Sequence, residues 1–256
     1  MVPVVLGLVW FAPVKVFAVA AALLAIGTLR EYLDLADKAG LSPIRWPAYA
    51  MTGLLVVLPV FGVTVALDGI FVLVVLTLIM APRRELAGAA GGSASTIFGV
   101  LYTGLPFLFL VNLRDTPNGH LQVVGVLLIV WVGDTAAYYG GRWLGRHKLA
   151  PRVSPGKTWE GAVSSVVVAG VAGCLYMKYA LPHLPLVFAA FIAVTVNIAG
   201  QLGDLAESAL KRGAGVKDSG TLLPGHGGLL DRVDALLFAI PVLWYDYKVL
   251  AFLFPN

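Results

Sequence analysis

Asp204, Glu207, Ser208 and Lys211, in the stretch GDLAESALKR, stand at i, i+3, i+4 and i+7. On a helix this spacing puts all four on one face. A solvated helix end with a Glu207–Lys211 pair is one outcome of such a pattern. A metal or substrate site is the other, because carboxylates at the mouth of an apolar helix are costly and usually line a site. Further on, LLDRVDALL sets Asp231 and Asp234 one turn apart where an apolar run begins. The helix dipole favours acids in a first turn, and Arg232 can neutralise them. Two helices presenting acids at one surface nevertheless frame a hard cation. Mg²⁺ takes one or two carboxylates and completes its shell with phosphate and water oxygens. Asp204 and Asp231 are the leading ligands, with Asp218 and Asp234 in reserve.

Between these acids runs GVKDSGTLLPGHGG. Its glycines let backbone N–H groups approach an anion, and Pro224 stiffens the turn. With Lys211, Arg212 and Lys217 on one side and metal-type acids on the other, the segment reads as a polyphosphate cradle to which Gly227 and Gly228 lend donors. His226 is open to several roles: metal ligand, acid/base, phosphate hydrogen bond or structural contact. A second polar stretch, GRWLGRHKLAPRVSPGKTWEG, offers Lys148, Ser154, Lys157, Thr158 and Glu160. Its GKT is not a P-loop, since Pro151 stands where that motif needs glycine. GAGVKD likewise lacks the third glycine of a dinucleotide fingerprint. Asp134, in IVWVGDTAAYYGG, lies late in an apolar run with Tyr138 one turn on. A buried hydrogen bond or an active-site role would each account for it.

The elements that position these residues are apolar helices. The chain has 256 residues, is 59% hydrophobic and has a mean hydropathy of +0.88. Those values belong to an integral membrane protein rather than a water-soluble domain. Apolar runs fall at Val16 to Leu29, Trp46 to Leu67, Ile70 to Met80, Thr96 to Val111, Leu121 to Gly141, Gly161 to Leu181, Leu184 to Leu202 and Leu229 to Phe254. A bilayer core needs about 20 helical residues, so most are comfortable spans and Ile70 to Met80 is short. Met1 to Ala12 is about half that length and is expected to be a clipped first transmembrane helix with its start upstream. The expected fold is therefore all-α, a polytopic membrane protein of about nine segments with the first truncated. It forms one membrane domain, with N-terminal helices over 1–120 and C-terminal helices carrying the catalytic loops over 121–256. Only Lys15, Arg114, Lys178 and Lys248, of 18 Lys and Arg, fall on one side of an alternating topology. The excess marks the other side as cytoplasmic, and the loops Arg142 to Glu160 and Gly203 to Gly228 lie there. The lone Cys174 excludes an intramolecular disulfide and a paired-cysteine metal site. A net charge of +4 with no basic tail gives no reason to expect nucleic acid.

From Ser208 the order S-x-x-K-R-x4-K-D-x-G-x2-L-P-x-H-G-G-x2-D-R-x-D runs unbroken to Asp234. It resembles the signature of the phosphatidate cytidylyltransferase (CDP-diacylglycerol synthase) family, and the segment from Asp134 through AYYGGR to SPGKTWEG is similar to that family's upstream block. Gly156 departs from the pattern, standing where a second lysine is common, and relatives begin with a basic stretch and a full first helix. The resemblance implies that CTP and phosphatidate give CDP-diacylglycerol and pyrophosphate, with Mg²⁺ and room for a second cation, in the cell (inner) membrane at its cytoplasmic face. It implies metal binding by Asp204 and Asp231, helped by Asp218 and Asp234. Lys211, Arg212, Lys217 and Lys157 would meet phosphate. Ser208, Ser154, Thr158, Glu160 and Asp134 would position substrate, with Lys148, Glu207, His226 and Arg232 also near it. Expected partners are CTP, phosphatidate and the bilayer, and a homodimer is compatible. The rival readings are a CTP-dependent polyprenol or dolichol-type kinase, which would leave CDP, and a cation-coupled secondary transporter.

Overall fold

Runs of apolar residues bounded by Pro, Gly and charge become helices in the computed structural model, which describes residues 2–63, 66–80, 88–220 and 227–253. Among the described residues the α-helices are α1 (Val2–Phe11), α2 (Val14–Lys38), α3 (Arg45–Val57), α4 (Ala66–Met80), α5 (Ala89–Arg114), α6 (Gly119–Leu144), α7 (Trp159–Ala180), α8 (Leu186–Gly213) and α9 (Leu230–Leu253). Five of them, α2, α5, α6, α7 and α8, are long and apolar enough to cross a membrane, and three further apolar helices are shorter. The protein is a helical membrane protein.

Three boundaries differ from expectation. Trp46 to Leu67 is not one span: α3 ends at Val57, a 3-10 turn covers Leu58–Phe61, and Gly62 takes the left-handed conformation at φ 77. Pro59 causes the break, since it has no N–H to continue the helix. The segment from Gly203 does not begin as a loop, because α8 continues to Gly213 and carries Asp204, Glu207, Ser208 and Lys211 on helix. The loop between α6 and α7 contains two strands, β1 (Lys148–Ala150) and β2 (Ser154–Thr158), paired antiparallel.

The chain divides into two compact units interleaved along the sequence. The first comprises Met1–Trp10, Leu113–Ala209 and Asp234–Asn256, the second Phe11–Asn112 and Leu210–Val233. In the first unit, α6, α7 and α8 approach through small residues, as helices do where lipid gives no hydrophobic drive and close packing must. A Cβ on Gly173 would lie 2.7 Å from Ile129 and 2.9 Å from Ala193. Within the same group Asn197 Nδ2 donates to Ser165 Oγ (3.1 Å), and Gln201 Nε2 donates to Asn197 Oδ1 (2.8 Å). In the second unit, α2 and α5 meet where a Cβ on Gly99 would lie 2.7 Å from the Tyr32 ring. Gly173→Ala is expected to overpack its contact by about 1–3 kcal/mol. A thermal melt in detergent checks this: the midpoint falls by several degrees, whereas replacement of the open Gly213 leaves it unchanged.

Candidate functional site

In the first unit the strands fold back on the helices that flank them. Lys148 pairs with Thr158 and Ala150 with Ser154. At the exit Thr158 takes an extended conformation, and its Oγ1 accepts from Gly161 N at 3.2 Å, capping α7. Glycines let the segment lie close. A Cβ on Gly141 would stand 3.1 Å from Thr158 Oγ1, and one on Gly161 would stand 2.8 Å from Ala137 O. This places Lys157 with its Nζ 2.7 Å from Asp204 Oδ2 on α8. The pair is partly exposed, 25% for Lys157 and 35% for Asp204, so both groups face a cavity and not a sealed core. Ser208 Oγ lies 3.5 Å from Asp204 Oδ1.

That cavity, of about 640 Å³, is lined by Asp134, Arg142, Ser154, Lys157, Gln201 and Asp204 among others, with Ala137 and Leu149 as apolar wall. Two acids and two cations therefore converge on one space beside hydroxyl and amide groups. Around it Tyr138, Trp143 and Trp159 are exposed, and the Tyr139 and Trp143 rings lie 5.2 Å apart.

The second unit holds another charge pair. Lys211 Nζ lies 2.6 Å from Asp231 Oδ1, with both side chains 13% exposed. Asp231 Oδ2 accepts from Ser219 N (3.1 Å), Ser219 Oγ (2.9 Å) and Gly228 N (2.9 Å). Asp231 thus gathers both ends of the polar loop. Gly227 takes the left-handed conformation, at φ 79, as the chain turns into α9. Ser219 Oγ also lies 2.9 Å from Glu31 Oε2 on α2, and Leu230 N donates to that same oxygen at 2.8 Å.

The other candidates take varied places. Glu160 accepts from Arg146 N (3.1 Å) and His147 N (3.2 Å) and pairs with His147 Nδ1 at 2.6 Å, so it fastens the turn before β1. Lys148, Lys217, Asp218 and Arg232 are exposed. Arg212 donates to Val216 O at 3.1 Å, closing the end of α8. Glu207 is fully buried, which removes the solvated-helix-end alternative. Asp234 Oδ1 accepts from Ala235 N at 2.8 Å. His226 lies outside the described residues. Sequence reasoning passed over Glu31, Arg142 and Gln201. The signal for Glu31 was present, an acid closing a long apolar run in LREYLDL.

The chain matches the model of the cytidylyltransferase family over residues 1–250. It is similar to the phosphatidate cytidylyltransferase of Bacillus subtilis (strain 168), 40% identical over 146 residues, 57% of this chain and 54% of that protein. Against the phosphatidate cytidylyltransferase of Brucella suis biovar 1 the identity is 46% over 151 residues, again 57% and 54% of the two chains. Against that of Staphylococcus saprophyticus it is 40% over 151 residues, 59% and 57%. In these alignments the chain spans about half the length of the curated relatives it matches.

Proposed function

The chain belongs to the cytidylyltransferase family, and on that premise we propose that it is a phosphatidate cytidylyltransferase, joining CTP and phosphatidate into CDP-diacylglycerol with release of pyrophosphate. The observation that carries this is the Lys157–Asp204 pair in a cavity on which Asp134 and Arg142 also converge. The lipid phosphate oxygen attacks the α-phosphorus of CTP, and the bond to the β-phosphate oxygen breaks. A phosphomonoester with a second pKa near 6 is already largely ionised at neutral pH, so no protein nucleophile or strong base is required. The work is to hold two polyanions in line and to take up the charge that moves to pyrophosphate. Lys157 and Arg142 offer that charge in the cavity, while Lys211, Arg212 and Lys217 offer it around the polar loop. Ser154, Thr158 and Asp134 orient the head group. Acyl chains stay in lipid beside the exposed apolar faces. The excess of Lys and Arg on the loop side supports a cytoplasmic site in the cell membrane.

Magnesium fits the donor set. Among the described residues there is no cluster of three or more His, Cys, Asp or Glu able to hold a metal. Mg²⁺ takes one or two carboxylates and uses substrate phosphates for the rest. The proposed ligand in the first unit is Asp204, whose second oxygen is only weakly engaged by Ser208, and the proposed ligand in the second unit is Asp231, through the oxygen that meets Lys211. When bound, the ion neutralises phosphate charge.

An assay with labelled CTP, phosphatidate and Mg²⁺ tests the reading. Equimolar CDP-lipid and pyrophosphate are expected, whereas CDP with a newly phosphorylated lipid would replace the proposal with a lipid kinase. Chelating Mg²⁺ is expected to abolish turnover and also the thermal stabilisation given by CTP. Stabilisation that survives chelation would remove the metal from nucleotide binding.

A further inference from the structure

Glu31 is 2% exposed and stands on α2, 188 residues from Ser219 and 199 from Leu230. Its Oε2 accepts from the Ser219 hydroxyl and from the first N–H of α9, while its Oε1 has no hydrogen-bond partner among the described residues. The loop is shaped around this carboxyl group. A Cβ on Gly220 would lie 2.5 Å from Oε1, one on Gly228 would lie 2.5 Å from Oε2, and the Gly228 Cβ would also run into the Ser219 hydroxyl. Alanine therefore fits at neither position without moving the acid.

For stability alone this is a poor arrangement. A buried acid with one oxygen satisfied and the other unpaired among the described residues costs more than an apolar side chain of similar volume, which is often neutral or better at such sites. The acid makes sense through what it holds. Ser219 Oγ stands 2.9 Å from Glu31 Oε2 and 2.9 Å from Asp231 Oδ2. A hydroxyl has one proton and donates to one of them at a time, so the two acids share a donor and the geometry of one sets that of the other.

We propose that Glu31 is a positioning residue: from the N-terminal half of the chain it clasps Ser219 and the first turn of α9, and through them orients Asp231. As a role in catalysis this rests on the cytidylyltransferase reading, whereas the clasp itself does not. Two variants separate positioning from charge. Glu31→Leu keeps the volume and removes both acceptors. Glu31→Gln keeps an oxygen where Ser219 and Leu230 donate and removes the charge.

The two variants are compared in purified protein by steady-state kinetics, thermal melts and timed trypsin digestion, with cuts at Lys211, Arg212 and Lys217 mapped by mass. The Leu variant is expected to lose roughly tenfold to a hundredfold in kcat, the scale of a small misplacement of a catalytic group. Its melting midpoint stays near wild type, and its loop is cut faster without any substrate present. The Gln variant is expected to stay within about fivefold in kcat, the size of one altered hydrogen bond, and to be cut as slowly as wild type. A Leu variant with wild-type kcat and cutting rate overturns the proposal. So does a Gln variant as impaired as Leu, because the negative charge would then be what matters. A wild-type protein that makes no CDP-lipid, beside a Leu variant that is cut faster, removes the functional reading and leaves the clasp standing.

Discussion

Asp231→Asn is expected to lower the proposed turnover of CTP with phosphatidate by about 10³-fold, the scale of removing a preorganised electrostatic group from an active site, while the protein stays folded. Both carboxylate oxygens of Asp231 face donors: Lys211 on one, and Ser219 N and Gly228 N on the other. An asparagine can turn its single oxygen to either side, but its NH₂ then meets a donor on the other. No orientation of the amide satisfies the site. The negative charge beside Lys211 is lost as well, and with it the magnesium ligand proposed above. The stability cost is that of one or two mispaired polar groups, about 1–3 kcal/mol, or a few degrees in the melting midpoint. Near-normal turnover at saturating Mg²⁺ in the variant, with the midpoint measured beside it, would contradict the assignment.

Lys157→Gln is the second large effect, on the order of 10²-fold in kcat/KM. Lys157 is the cation fixed against Asp204 at the cavity, and its strand, anchored at its end by Thr158 as the cap of α7, holds it there. Glutamine retains hydrogen bonding and loses the charge that two polyanions require. The partly exposed Asp204 is relieved by water, so the fold is expected to survive. Lys157→Arg recovers only part of the loss, because a planar guanidinium does not occupy the place of a compact ammonium. A double-mutant cycle with Asp204→Asn separates pair from residue: losses well short of additive indicate one interacting unit. Full additivity would place the two side chains in independent roles.

Much of the architecture was legible because membrane helices announce themselves by length and hydropathy. Seven of the runs drawn from composition correspond to helices in the structure, and α8 carries the acid-bearing face expected of it. The failure at Trp46 to Leu67 came from weighing hydropathy above Pro59, which ends a helix whatever its neighbours' apolarity. The strands around Pro151 were missed because five residues of SPGKT show no alternating pattern; Thr158 and the glycines around it hold them. Charge type and spacing pointed to Asp204, Lys211 and Asp231. They did not identify their partners, for no local rule ties Lys157 to Asp204 or Asp231 to Ser219. Glu31 showed only as an acid closing an apolar run, and its partners were not legible because Ser219 and Leu230 lie 188 and 199 residues away.

The hydrogen bond between Glu31 and Leu230 has a practical consequence for gene fragments. A truncated reading frame that begins after α2 still encodes every letter of the signature from Ser208 to Asp234. By motif it would score as intact, yet the peptide would lack the counterpart that this turn of α9 leans on. Competence in such a pseudogene, or in an engineered split protein, is better judged by whether a hydrogen-bond acceptor is supplied opposite Ser219 and Leu230 than by the motif alone.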